Sequence, residues 1–250
     1  NQRDALISTV ASILGDVANE NRALVQGELP FSKHRFQGVL PPISDAPFYV
    51  IRKHLLQEVR LDEYVAAGIM DDWHYHYLGK ALSTGDNIII SGETGSGKTT
   101  LASALLAELV SSADDGHLRL ALLEDTTELH CSYSNTVRLR SREGITLRDL
   151  VRATLRLFPT RIVIGEVRGG EALELLKAWN TGHRGGITTL HANTVTDVYD
   201  RLALMVAETG LHLPRNLFGR AVNVLVHITS TGNQRRGNKM MRGVLHQTGC

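Results

Sequence analysis

The chain has 250 residues, of which 42% are hydrophobic and 21% charged, and its formal net charge at pH 7 is +1. This composition allows one large domain, or a medium domain with a small one, and the near-zero charge excludes a global attraction to nucleic acid or to an anionic membrane. Two distant cysteines, Cys131 and Cys250, exclude a disulfide framework and a cysteine zinc site, so we expect a reducing, cytoplasmic compartment.

The first predicted element is a helix over Asp4–Leu14, followed by short apolar segments between glycine and proline turns. Short strands between turns predict a small α+β domain over residues 1–58. Because the first residue is not methionine, we expect the chain to begin inside this domain. Residues 59–82 have a helical pattern and are interpreted as a linker, in which Asp71 is the predicted N-cap of a helix over Asp72–Leu82.

Residues 83–250 begin with the strongest motif of the chain. Asn87–Ser91 is typical of a buried strand, Gly92–Thr99 fits the pattern G-x-x-x-x-G-K-[ST], and Thr99–Val110 is typical of a helix. In such a phosphate-binding loop, backbone N–H groups wrap a diphosphate, the lysine approaches the β- and γ-phosphates, and the threonine hydroxyl coordinates Mg²⁺. The N-terminus of the helix adds a partial positive charge. The residues predicted to bind nucleotide here are Gly92, Glu93, Thr94, Gly95, Ser96, Gly97, Lys98, Thr99 and Thr100.

Short apolar runs and helix-start signals alternate through the rest of the chain. Capping boxes at Thr146–Asp149 and Thr194–Asp197 predict the starts of two helices. Alternating strands and helices predict an α/β fold with a parallel sheet, whose ligands bind at the carboxyl ends of the strands. The predicted strands after the motif are Leu118–Leu123, Arg161–Gly165, Gly186–Leu190 and Asn223–Ile228.

Charged or polar residues follow three of these strands. Glu166 ends an apolar strand in the manner of a Walker B element, although Gly165 occupies the usual aspartate position, so the glutamate has to serve as the acid. Glu124 gives a second carboxylate at a strand end. Thr99, Glu166 and Glu124 are therefore the predicted Mg²⁺ ligands. His191 ends a further strand, where it can donate to a γ-phosphate oxygen; a structural hydrogen-bonding role is the alternative.

Phosphoryl transfer needs positive charge on the transition state beyond that of Lys98, commonly from an arginine. Arg138 and Arg140 follow the Glu124 region, and Arg35 and Arg52 lie in the N-terminal section. The sequence alone does not rank these four arginines.

Four ordered motifs resemble those of the secretion traffic ATPases, which have a Walker A motif, an aspartate box, an atypical Walker B motif and a histidine box. The matching segments are Gly92–Thr99, Leu122–Leu129, Ile164–Ala172 and Thr188–Asn193. Three further segments look most like the conjugal-transfer branch, which serves type IV secretion: Gly27–Pro30, Ile51–Lys53 and Trp179–His183. The similarity covers nearly the whole chain. One departure is that Leu157–Arg161 lacks the Arg-Pro-Asp of the family.

The resemblance implies a RecA-like P-loop NTPase core with a smaller α+β N-terminal domain, here shortened relative to the family. It also implies a homo-hexamer in the cytoplasm, peripheral on the inner membrane, with secretion-channel and coupling proteins as partners and a transferred DNA–protein substrate acted on indirectly. The absence of any apolar run near ~18 residues fits the expectation of no integral membrane segment.

The resemblance further implies ATP and Mg²⁺ as ligands and assigns roles to individual residues. Glu166 and Glu124 are expected to serve catalysis together with Lys98, and His191 is expected to couple to the phosphate. The arginines expected to reach the nucleotide are Arg35 and Arg52 from the N-terminal domain and Arg138 and Arg140 from the strand after the aspartate box.

These features together predict an Mg²⁺-dependent ATP hydrolase whose domain motions drive type IV secretion, conjugal DNA transfer or pilus assembly. Three alternatives stay open: a type II secretion or type IV pilus motor with the same core, a RecA-type DNA motor, and a nucleotide-gated scaffold in which turnover is incidental. Two cysteines rule out, within this sequence, the four-cysteine zinc module of some pilus extension motors.

Overall fold

A computed structural model describes residues 2–32, 34–53, 59–113, 117–230 and 239–246. The chain forms two compact units, Asn1–Leu56 and Gln57–Cys250. The boundary predicted at residue 58 and the cysteine Cys250 lie outside the described residues, and the predicted division into three parts stays a prediction. Within the described part of the chain, no helix combines the length and the apolar character needed to cross a bilayer.

The N-terminal unit is a helix with a three-stranded antiparallel sheet in the order β1-β2-β3. Ile7 and Ala11 on the helix are buried in one cluster with Val25 and Phe36 on the sheet. Burial of one helix stripe against one sheet face therefore holds this small α+β unit together. Its elements are α1 (Gln2–Ile13), β1 (Leu24–Glu28), β2 (Arg35–Val39) and β3 (Phe48–Arg52).

The second unit contains a seven-stranded sheet in the order β10-β9-β4-β8-β7-β5-β6. All neighbouring pairs are parallel except the antiparallel pair β10–β9. The strands are β4 (Ile88–Gly92), β5 (Leu120–Glu124), β6 (Thr136–Arg140), β7 (Arg161–Ile164), β8 (Ile187–His191), β9 (Val224–Ser230) and β10 (Lys239–His246). The helices are α2 (Leu61–Ala66), α3 (Asp72–Thr84), α4 (Lys98–Ser111), α5 (Leu147–Thr154), α6 (Glu171–Asn180), α7 (Val198–Ala207) and α8 (Arg215–Ala221). The predicted α/β fold class is confirmed.

Helices cover both faces of this sheet, which explains its continuous apolar strands. Ile89 belongs to the core cluster with residues of α5 to α8, whereas Ile88 and Ile90 belong to the cluster with residues of α2 to α4. Successive side chains of a strand point to opposite faces, so both neighbours need apolar cover. Complete burial of each isoleucine side chain contributes about 1.5–3 kcal/mol.

Two of the three predicted helix starts are confirmed, and the third is wrong. Asp71 caps α3, because its Oδ1 accepts a hydrogen bond from the backbone N–H of His74 at 2.8 Å. Thr146 and Asp149 form the expected capping box of α5. Thr194–Asp197 also exchanges reciprocal hydrogen bonds, but these close a turn, and α7 begins only at Val198 with Asp197 in the N-cap position.

Two polar side chains, one buried and one half-buried, bind neighbouring segments at the amino edge of the sheet. Asn87, just before β4, donates through Nδ2 to the carbonyl of Ala221 at 2.7 Å and accepts the N–H of Gly186 at 2.9 Å. Arg161 donates to the carbonyls of Gly185 and Leu82 at 3.2 and 3.0 Å. These side chains satisfy main-chain groups that the ends of the strands leave unpaired.

The turn Leu157–Arg161, which departs from the family pattern, is anchored at the same edge. The Thr160 hydroxyl accepts the N–H of Arg119 at 2.8 Å and donates to its carbonyl at 3.0 Å. A threonine can therefore tie this turn to the start of β5 without the aspartate that the family pattern would place there.

Candidate functional site

The phosphate-binding loop lies between β4 and α4 and has the backbone that its glycines predict. Gly92, Gly95 and Gly97 have φ angles of 154°, 78° and 98°. A Cβ on Gly92 would lie 2.2 Å from the carbonyl oxygen of Ile228, so only glycine fits where the loop passes β9. Of the predicted nucleotide-binding residues, Glu93, Thr94 and Gly95 are exposed, Ser96 and Lys98 are buried, and Gly97, Thr99 and Thr100 are half-buried.

The Lys98 ammonium is fixed within this loop. Its Nζ donates to the carbonyl oxygens of Gly92 and Glu93 at 2.9 and 2.8 Å and lies 3.1 Å from Nδ1 of His191. An ammonium group only donates hydrogen bonds, so Nδ1 is the acceptor and the imidazole hydrogen resides on Nε2. Burial and the neighbouring Lys98 charge lower the pKa of His191, while Glu166 opposes the shift. The ring is therefore neutral at pH 7.

Glu166 continues this row of charged groups. Its Oε1 lies 2.8 Å from Nε2 of His191, and its Oε2 lies 2.5 Å from Nη2 of Arg168. The Oε1 contact has the distance of an ion pair, but this oxygen receives no aligned hydrogen bond from the described residues. The row Lys98–His191–Glu166–Arg168 forms because β4, β8 and β7 are neighbours in the sheet. Arg168 was not among the predicted site residues, although its position two residues after Glu166 was a usable signal.

Glu124 is buried at the end of β5 and organises the segment that follows. Its Oε1 accepts the backbone N–H groups of Glu128 and Leu129, both at 2.8 Å. Burial raises the pKa of this carboxyl group, and the two backbone hydrogen bonds and Arg138 act against that rise. A Cβ on Gly165 would lie 3.1 Å from Cγ of Glu124. The glycine at the usual aspartate position therefore leaves room for the Glu124 side chain.

Glu128 is the carboxylate that reaches the phosphate-binding loop. The hydroxyl of Thr99 donates to its Oε2 at 3.1 Å. The hydroxyl and the carboxylate supply the hard oxygen ligands that Mg²⁺ prefers, so this pair fits the ion. Glu128 lies within the motif Leu122–Leu129 but was not predicted as a metal ligand. The predicted ligands Glu124 and Glu166 contact backbone N–H groups, His191 and Arg168, and their part in Mg²⁺ binding stays a prediction.

The remaining predicted arginines lie in two other places. Arg138 on β6 is 3.7 Å from Oε2 of Glu124 and donates to the carbonyl of Cys131 at 2.8 Å. Arg140 contacts the hydroxyl of Thr127. Both therefore hold the segment after β5. Arg35 and Arg52 belong to the N-terminal unit and face each other in the register of β2 and β3.

A cleft of about 530 Å³ opens beside the first residues of the loop. Its walls come from the start of the loop, the end of β8, the following turn and α7. The lining residues are Gly92, Glu93, Thr94, His191, Ala192, Asn193, Asp197, Asp200 and Arg201.

Comparison with known proteins identifies the family. The family model described as "Type II/IV secretion system protein" matches residues 33–247. The chain belongs to this family. A relative from Rhizobium radiobacter, "Conjugal transfer protein TrbB", is 43% identical over 246 residues, which are 98% of this chain and 74% of the relative. The resemblance stated from the motifs is confirmed.

Solved structures of similar proteins have the same fold. The VirB11 ATPase of the Brucella suis type IV secretion system, solved with sulphate, is 29% identical, has a TM-score of 0.62, and is matched over 96% of this chain and 78% of that one. The pilus retraction motor PilT with bound ADP is 18% identical with a TM-score of 0.64, over 90% of this chain and 63% of that one; at this identity the likeness concerns the fold alone.

Proposed function

We propose that this member of a family of secretion ATPases hydrolyses ATP with Mg²⁺ and powers conjugal DNA transfer through a type IV secretion system. The observation on which the proposal rests is the contact of Lys98 with His191 and of His191 with Glu166 beside a phosphate-binding loop. A relative that is 43% identical over 246 residues is named as a conjugal transfer protein, which favours conjugation over type II secretion or pilus movement.

Each residue of the cluster has a part in this proposal. The loop amides and Lys98 bind the β- and γ-phosphates. Thr99 and Glu128 would hold Mg²⁺, which when bound neutralises phosphate charge. Glu166 accepts a proton or a hydrogen bond from the attacking water. His191 contacts Lys98 through Nδ1 and Glu166 through Nε2, so it can link the state of the phosphate to that of the carboxylate.

The test is the activity of Lys98→Ala beside that of Lys177→Ala. Lys98 lies among the loop carbonyls, whereas Lys177 is half exposed on α6, 4.0 Å from Glu174. We expect Lys98→Ala to lose ATP-dependent phosphate release by about 100-fold or more, and Lys177→Ala to behave like the wild type. Release by Lys98→Ala at the wild-type rate would refute the proposal.

Measurements on the wild-type protein distinguish an ATP hydrolase from a nucleotide-gated scaffold. Tight ATP binding measured by calorimetry, with negligible phosphate release in the presence of membranes and partner proteins, would support the scaffold instead.

The assembly is part of the same proposal. We infer a homo-hexamer in the cytoplasm, peripheral on the inner membrane, working with secretion-channel and coupling proteins, with Arg35, Arg52, Arg138 and Arg140 reaching nucleotide as the resemblance implies. Native mass spectrometry with a non-hydrolysable ATP analogue should give six copies; a monomer under all nucleotide conditions would contradict the ring.

A further inference from the structure

The cleft beside the phosphate-binding loop lies at the γ-phosphate end of the loop. Lys98 Nζ, which approaches the β- and γ-phosphates in a loop of this kind, contacts Gly92, Glu93 and His191. The same three residues line the cleft. A γ-phosphate bound to Lys98 would therefore face the cleft, and the residues on its far wall would be able to distinguish ATP from ADP.

Arg201 on α7 forms part of that far wall. Its Nε donates to the backbone carbonyl of His191 at 3.3 Å. His191 is directly opposite Gly92, the first residue of the loop, in the pairing of β8 with β4. One N–H group therefore anchors the guanidinium on the residue that pairs with the first residue of the loop. A guanidinium has five N–H donors, so four remain beyond this bond.

We propose that Arg201 binds the γ-phosphate of ATP from this cleft and gives the site its preference for ATP over ADP. The inference rests on the proposed ATPase function and deepens it, because it names the residue that recognises the third phosphate. A guanidinium matches phosphate oxygens with two parallel hydrogen bonds, which an ammonium group such as that of Lys98 does not provide.

The charges of the cleft favour a cation on this wall in addition to Lys98. Glu93, Asp197 and Asp200 line it together with Arg201, and His191 is neutral at pH 7. Among the lining residues, Arg201 is the permanent cation. A γ-phosphate next to three carboxylates is repelled unless a cation screens it, so loss of Arg201 weakens ATP binding by more than the lost hydrogen bonds alone.

The arginines closer to the sheet edge have other contacts. Arg168 is paired with Glu166, and Arg138 is paired with Glu124 and bonded to main-chain carbonyls. Both hold the carboxylates that are proposed to act on water or to order the Glu128 segment. Arg201 differs because its side chain lines the cleft.

The experiment compares the affinities of the full chain for Mg-ADP and for a non-hydrolysable Mg-ATP analogue by calorimetry. For Arg201→Ala we expect the analogue to bind about tenfold more weakly or worse, while the affinity for ADP stays within about twofold. Arg201→Gln can still donate to the His191 carbonyl but has no charge, so the same loss is expected. Arg201→Lys keeps the charge and should recover part of the affinity.

Arg215→Ala is the matched control. The Arg215 guanidinium, on α8, lies 4.6 Å from the ring centroid of Tyr199, which is on α7 like Arg201. This variant should leave both affinities unchanged, and thermal unfolding of every variant reports on the fold. Recovery by Arg201→Gln to the wild-type affinity, or an equal loss for ADP and the analogue, would overturn the inference and leave Arg201 as a support of the His191 backbone.

The proposed function and the inference fail in different ways. A wild type that binds neither nucleotide contradicts both. A wild type that binds and hydrolyses ATP, with an unchanged preference for ATP in Arg201→Ala, contradicts the inference alone.

Discussion

At the amino edge of the large sheet, Asn87 and Arg161 bind main-chain carbonyl and N–H groups of neighbouring segments. At the carboxyl edge, His191 contacts Lys98 on one side and Glu166 on the other, which gives a row of charged and polar side chains. The first arrangement ties strand ends together, while the second gathers ionisable groups beside the phosphate-binding loop.

This difference indicates how stability and activity are divided in the fold. Removing a side chain that satisfies a buried main-chain group leaves that group unpaired, which costs stability. Ionisable groups gathered at the ends of neighbouring strands can act on a ligand. Substitutions at the amino edge should therefore lower the free energy of unfolding, and substitutions at the carboxyl edge should lower turnover.

The largest effect is expected from Glu166→Gln at the carboxyl edge. Glutamine keeps the shape and can still accept from Arg168, but it is no base, so the rate of phosphate release should fall by about 100-fold or more. The free energy of unfolding should change by less than about 1 kcal/mol. Phosphate release and chemical denaturation measure the two quantities. A Glu166→Gln protein that is unstable but fully active per folded molecule would contradict the assignment of activity to the carboxyl edge.

At the opposite edge, Asn87→Ala should act mainly on stability. It leaves the carbonyl of Ala221 and the N–H of Gly186 without their partner, at a cost of about 2–4 kcal/mol in the free energy of unfolding. Turnover per folded molecule should stay near that of the wild type. Asn180→Ala, at the exposed end of α6, is the control and should cost less than about 0.5 kcal/mol. If Asn87→Ala and Asn180→Ala had equal free energies of unfolding, the structural role proposed for the amino edge would be contradicted.

Glu128→Gln tests whether the carboxyl edge also sets the Mg²⁺ dependence of turnover. Because the Glu128 carboxylate contacts Thr99, its loss should raise the Mg²⁺ concentration for half-maximal turnover by about tenfold. ADP binding without Mg²⁺ should be unchanged. Asp125→Asn is the control in the same segment, since Asp125 contacts Ser141. An equal shift in both variants would show that the segment as a whole, rather than Glu128, sets the Mg²⁺ dependence.

The smallest effect concerns pH and His191. Because burial and Lys98 lower the pKa of this group in the folded protein, the unfolded chain binds the proton first as the pH falls. The folded state should therefore lose stability below the ordinary histidine pKa of about 6.5, down to the folded pKa, with no contribution above it. In His191→Gln this part of the pH dependence should disappear. Denaturant unfolding of both proteins between pH 5 and 8 measures it, and a wild type that gains stability relative to His191→Gln on acidification would contradict the direction of the shift.

Local sequence was sufficient for the elements whose signals lie within a few residues. The glycine pattern around Lys98, the N-cap Asp71 and the capping box at Thr146 depend on neighbours in the chain, and the structure has all three. The Thr194–Asp197 signal was misleading, because the same hydrogen bonds also close a turn that ends before α7. Strand ends could be predicted, and with them the residues that face the ligand edge.

Which of those residues meet depends on the order of the strands. Lys98 and His191 are 93 residues apart and come together because β8 inserts between β4 and β7, an order that no local pattern encodes. The contact of Glu128 with Thr99 likewise depends on tertiary structure, because Glu124 holds the segment that carries Glu128. The same is true of the position of Arg201 on the cleft wall. The physical reason is that periodicity and capping fix single elements, whereas contacts between distant side chains depend on how the sheet and its covering helices pack as a whole.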